Sequence, residues 1–195
     1  MKRSTIIVLV LVILSILFVG GCNTYNNLVS KRNEVDNKWA DVQSQYQRRL
    51  DLIPNLVKTV KGYADFEKST LQAVVEARAK ATSINVTADN LDEATIAKIN
   101  AQMGNVNSAL SRLLAVVENY PNLKADQNFL KLQDELAGTE NRIAVARDNF
   151  NEVVKLYNNA CQRFPAVIFA SILGFKSKPY FKADEGAEKA PKVEF

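Results

Sequence analysis

The sequence contains no histidine, and that absence removes much chemistry. Histidine is the side chain that titrates near neutral pH and the commonest metal ligand, so a ready general base and a ready metal site are both missing. Glycine and proline are scarce, seven and five in 195 residues, which argues against a turn-rich β fold. The two cysteines, Cys22 and Cys161, are too few for a disulfide framework. There is no CxxC pair, no HExxH string and no glycine-rich phosphate loop. Arginine stays protonated, and no serine, cysteine or carboxylate has an identifiable base beside it in the chain. The sequence therefore nominates no catalytic residue, no cofactor and no metal, and the expectation is a protein that is not an enzyme.

A concentrated positive face is also missing. Of 25 basic residues, Lys2 and Arg3 precede the hydrophobic N-terminus, leaving 23 against 21 acidic ones, interspersed and without a basic block. Nucleic-acid binding needs a clustered positive surface, so this partner class is set aside. What is abundant is Ala, Leu, Val, Asn, Gln, Glu and Lys, a composition that favours helix. At 195 residues the chain is long enough for one domain with a real core.

The first residues, "MKRSTIIVLVLVILSILFVGGCN", join two positive charges to an apolar run over residues 6–19, broken only by Ser15. Residues 1–21 are read as a membrane-targeting segment. The run, about 14 residues, is short for a bilayer span and typical of a signal-peptide apolar region. Two readings stand. "VGGC" resembles the bacterial lipoprotein processing box, which would make Cys22 a lipid attachment site; otherwise the segment is a permanent transmembrane anchor. Both put the body on the outer, periplasmic or extracellular, face of a cell membrane, because Lys2 and Arg3 hold the N-terminus inside.

From Tyr25 onward apolar residues recur in steps of three and four. Leu28, Val35, Val42, Leu56 and Tyr63 share one seven-residue frame, with Tyr25, Trp39, Tyr46, Ile53 and Val60 on its companion; Arg32 and Arg49 interrupt it. This is an amphipathic helix with a narrow seam. A second helix, capped by Asn90 with Glu93 three residues on, carries Ile96, Ile99, Met103, Val106, Leu110, Leu113, Val117 and Tyr120. A third repeats Phe129, Leu136, Ile143, Phe150, Tyr157 and Phe164 every seven residues. Such stripes need partner helices along their length. The first stretch is too long to remain one straight, partnered rod. It either reverses near Gly62, with a kink at Pro54 and Asp65 capping the next helix, or turns at Asp51 with Pro54 in the first turn of a new helix. The expected fold is all-α: a long antiparallel up-and-down bundle of four helices over residues 22–165, the first kinked at Pro54.

Two polar clusters accompany the seams. Arg48, Arg49 and Asp51 sit before Pro54, and Glu140, Arg142 and Arg147 lie along the last helix, where Asn151 and Asn158 flank the aromatic stripe. Charges beside a bundle seam fix register; the alternative is a binding groove for a peptide or an anionic headgroup. After Pro165, residues 166–175 are nearly all apolar. Ile168, Phe169, Ile172 and Leu173 are candidates for membrane contact, or the segment is a clip over the open end of the bundle. Residues 176–195 are charged and aperiodic, as in a flexible tail. The tail ends at Phe195, an apolar residue with a free carboxylate of the kind captured by strand addition.

Several strings carry a resemblance. "RRLDLIPNLV", "VVEARAKAT", "ENYPNLKADQNFLKLQDELAGTENRIAVAR" and "GFKSKPYFKADEGAEKAP" together resemble the LemA family of bacterial membrane-anchored helical proteins, over nearly the whole chain. The resemblance implies a helical bundle with an N-terminal anchor and no established enzymatic activity, and it carries over no catalytic residues. The expected role is a membrane-tethered, noncatalytic interaction protein with another envelope or membrane protein as partner. A lipid-engaging or self-assembling structural protein, possible as a homo-oligomer, is the alternative.

Overall fold

The computed structural model describes residues 3–63, 67–83 and 86–182, and its described residues form six α-helices and no strand. They are α1 (Arg3–Lys61), α2 (Lys68–Thr82), α3 (Glu93–Val117), the single turn α4 (Pro121–Lys124), α5 (Gln127–Gln162) and α6 (Ala166–Ile172). A 3-10 turn at Ala88–Asn90 precedes α3.

The 59 residues of α1 span about 88 Å. Its first part is apolar on every side and unburied: an 18-residue window has mean hydropathy 2.5 with none of it buried in the protein. From Leu28 to Val60 the same helix becomes amphipathic, and its seam enters the bundle.

The topology is up-down-up-down. Arg78 of α2 reaches Leu50 of α1, while Val86, just after α2, accepts from Trp39 further back along α1, so α2 descends against it. Asn100 and Asn107 of α3 meet Arg147 and Glu140 of α5, so those two helices run oppositely. Tyr63, just past α1, meets Asp126, the cap of α5, which makes α5 antiparallel to α1. The reversal after α1 falls at Gly62, and α1 runs through Pro54 as one helix, so the turn at Asp51 is not used. Asp65 lies outside the described residues.

The seams fill the core. Leu28, Val35, Trp39, Val42, Ile53, Leu56 and Val60 are buried together with the α3 stripe from Ile96 to Val117 and the α5 stripe from Phe129 to Tyr157. Three expectations are corrected. Asp92, not Asn90, caps α3, its carboxylate accepting from Thr95 N at 2.7 Å, because the 3-10 turn uses Asn90. Phe164 is 82% exposed, since α5 ends at Gln162 before the frame can carry it inward. Tyr25 is also exposed, lying beyond the level at which α1 gains its α5 partner, and its ring instead packs edge-on to Phe175 at 5.9 Å.

Candidate functional site: interhelix locks and a clamped segment

Proline has no N–H, so Pro54 leaves the carbonyl of Leu50, four residues earlier, without its partner inside α1. The structure supplies a substitute. Arg78 of α2 donates Nε to Leu50 O at 2.8 Å, and its guanidinium lies 3.9 Å from Asp51 Oδ1. Asp51 also accepts from Gln47 Nε2 at 2.8 Å. A donor from the neighbouring helix thus satisfies the acceptor that the helix breaker frees, and α1 is fastened to α2 at that level. The sequence singles out Asp51 and Pro54, and Arg78 was not among its candidates. The signal was available: a proline inside a helical frame predicts an orphan carbonyl four residues back, and a buried orphan requires a donor.

Next to Leu50 in the chain, Arg49 is buried and pairs with Glu140 of α5, whose other oxygen faces Asn107 Nδ2 of α3 at 3.5 Å. Arg49 therefore occupies a seam position without being an unpaired buried charge. Arg48 points outward and lies 4.0 Å from Glu135, with both partners exposed, a geometry worth little. Arg142 is exposed and takes no part in these locks.

Arg147 joins more elements than any of these. Its Nε donates to Tyr46 Oη of α1 at 2.8 Å, its Nη2 to Asn100 Oδ1 of α3 at 3.1 Å, and its guanidinium carbon lies 5.0 Å from the ring centre of Phe181. Phe181 belongs to the segment read from sequence as a flexible tail, and that reading is corrected for residues 176–182. The chain after α6 runs extended and antiparallel along α5, held by paired amides. Asn158 donates Nδ2 to Lys178 O and accepts from Lys178 N, both at 2.8 Å. Asn151 does the same for Phe181, at 2.9 and 2.8 Å. The spacing explains the fit: seven helical residues advance about 10.5 Å and three extended ones about 10 Å. Phe181 enters the core against Trp39 and Phe150, and Tyr157 Oη donates to Lys176 O at 3.0 Å. Asn151 and Asn158 are thus occupied by the chain's own segment. Phe195 lies outside the described residues.

Burial pushes the phenol of Tyr157 well above its ordinary range, and the neighbouring Cys161 adds to this. Burial likewise raises the Cys161 thiol, keeping it protonated and unreactive. Asp126 moves the other way, because the N–H of Phe129 stabilises its carboxylate.

The remaining candidates lie at the opposite end. Cys22 is exposed, and Gly21 beside it is so close to α6 that a Cβ there would sit 3.0 Å from the Phe169 ring. Phe169 thus faces α1, while Ile168, Ile172 and Leu173 are exposed, Ile172 at 76%. Of the two expectations for residues 166–175, neither is a description of the whole: the segment packs on α1 where the apolar helix meets the bundle, and it also keeps an open apolar face.

The fold and these contacts define an all-α bundle continuous with an N-terminal helix apolar and long enough to cross a membrane. The chain belongs to the LemA family, whose sequence pattern matches residues 38–195. It is similar to Protein LemA of Metamycoplasma hominis, 26% identical over 160 residues that cover 82% of this chain and 69% of that protein. It is also similar to Magnetosome protein MamQ of Magnetospirillum gryphiswaldense, 29% identical over 174 residues, 80% of this chain and 64% of the relative. Magnetosome protein MamQ 2 of Paramagnetospirillum magneticum matches at 28% over 175 residues, 81% and 64% of the two chains. The chain thus spans under two thirds of the length of the two magnetosome proteins.

Proposed function

We infer that this protein is a noncatalytic interaction protein tethered to a bacterial cell membrane, with its bundle on the outer face and another envelope or membrane protein as its partner. The observation that carries this reading is the continuity of α1 from its unburied apolar part into the seam of the bundle. A helix without a break transmits orientation, so the tether would hold the bundle in a fixed attitude to the bilayer. That continuity through Gly20, Gly21 and Cys22 favours the helix itself as the tether over lipid on Cys22. The polar clusters support a structural role over a catalytic one: Arg49, Arg78 and Arg147 are engaged by groups on other helices. Lys2 and Arg3 favour the outward orientation of the body.

The test is crosslinking in intact cells followed by capture from solubilised membranes, with the full chain compared to one ending at Lys182. That truncation keeps the clamped segment and removes Phe195. One specific envelope protein, captured by both versions and lost when Arg48 is reversed in charge, would place recognition on the bundle. Capture only by the full chain would place it on the tail. Recovery of this chain alone would overturn the adaptor reading in favour of self-assembly.

A further inference from the structure

The apolar run of α1, residues 6–19, rises about 21 Å, against roughly 30 Å for a bilayer's hydrocarbon core. A shortfall of about 9 Å corresponds to the next six residues of the helix, up to Tyr25. Those residues include Gly20, Gly21, Cys22, Asn23 and Thr24, which carry little apolar side chain. At this level the structure places α6. Phe169 rests on Gly21, and an open groove of about 510 Å³ between the two helices has Phe18, Cys22, Ile172 and Leu173 in its lining, with Tyr25 and Asn26 at its bundle end.

We propose that α6 is an interfacial helix whose Ile168, Ile172 and Leu173 face enters the outer acyl layer of the bilayer beside α1. Three observations choose lipid as the occupant. The exposed face of α6 is continuous with the apolar surface of α1 through Phe18, which is itself 73% exposed. The inward side of α6 is already spent on protein, Ala170 being 2% exposed and Phe169 seated on Gly21. Exposed Arg163 and Lys176 bracket the helix in the chain, where cations suit the phosphates above an acyl layer. Phe164, displaced from the α5 seam, adds to the apolar surface at the start of the segment. The asparagine clamp immediately downstream anchors the chain that leaves α6, so its depth is fixed relative to the bundle.

This inference rests on the tether reading, and one experiment separates the two. The full chain carrying Ile172→Trp is reconstituted into phosphatidylcholine and phosphatidylglycerol vesicles, with and without lipids brominated in the upper acyl chain. Trp39, the single natural tryptophan, is buried and about 27 Å further along α1, so its retained emission reports a folded bundle. The expected result is loss of most of the added emission in brominated vesicles and protection from aqueous iodide. Val145→Trp, at an exposed site on α5, should behave oppositely. Quenching of position 172 by iodide but not by bromine would overturn the proposal, and so would protection from both, which would mean that a second copy covers the face. A chain that fails to float with vesicles at all would sink the tether reading and this inference with it. Should Ile172→Trp disturb the fold, Leu173→Trp repeats the test one residue on.

Discussion

The two parts of α1 have the same backbone and opposite relations to their surroundings. Near the N-terminus Leu9, Leu11, Ile13 and Leu14 are about half exposed in a helix that is apolar all round. Further on, Val35, Val42, Ile53 and Leu56 are at most 1% exposed, on one stripe with polar residues between. A helix hydrophobic on every side needs an apolar medium, whereas a striped helix needs a protein partner. The pattern of side chains, not the length of the run, separates the part that suits lipid from the part that builds the bundle.

The largest effect should come from breaking the striped side alone. Phe150 is completely buried, and its ring packs edge-on against Trp39 and Phe181, at 5.9 and 5.5 Å. Phe150→Ala should cost about 3–5 kcal/mol, read as a lower midpoint in denaturant. Leu11→Ala removes an isopropyl group from the unburied part and should leave that midpoint unchanged. Equal losses from both would show that the apolar part packs within the protein after all.

A smaller effect sharpens the comparison at the backbone. In the bundle half, the carbonyl of Leu50 is satisfied by Arg78 because Pro54 cannot satisfy it. Arg78→Met should cost about 1–3 kcal/mol, the penalty of an acceptor left without its donor. Pro54→Ala restores an N–H in the helix, so in that background the same Arg78→Met change should cost clearly less. A double-mutant cycle with no coupling between positions 54 and 78 would refute the compensation.

Much of this architecture is legible from residues alone, and the reasons are local. The seven-residue frames named the buried faces of α1, α3 and α5, because a helix seam is a property of one chain segment. The reversal was narrowed only to Gly62 or Asp51, since both carry local turn or cap signals. The pairing of Arg78 with Leu50 crosses two helices, and spacing along the chain does not reveal which donor meets an orphan carbonyl. The clamp was half visible. Asn151 and Asn158 stood out beside an aromatic stripe, but residues 176–182 have no periodicity because an extended strand held by side-chain amides needs none. Lys178 and Pro179 read as tail residues for that reason, although Phe181 is core. Phe164 failed in the opposite sense: the frame continued in sequence after the helix itself had ended.

The smallest effect concerns the far end of α1, where the bundle closes. Asp126 caps α5 by accepting from Asn128 N and Phe129 N, both at 2.9 Å, and it receives the Tyr63 hydroxyl at 3.2 Å from just beyond α1. The bond from Phe129 holds the carboxyl below its ordinary value of 3.8. A group whose pKa is depressed by folding contributes fully above its unfolded value and loses that contribution as pH falls through the folded one. Asp126→Ala should therefore lower the denaturant midpoint slightly near neutrality, with the difference from the parent shrinking below about pH 4. Asp126→Asn keeps an acceptor for the two N–H groups and should recover much of the loss, without the pH dependence. Denaturant midpoints for the three proteins across that range decide the matter. A gap between the parent and Asp126→Ala that stayed constant into acid would mean that the cap works through shape alone, and that the charge on Asp126 adds nothing to the closure of α1 onto α5.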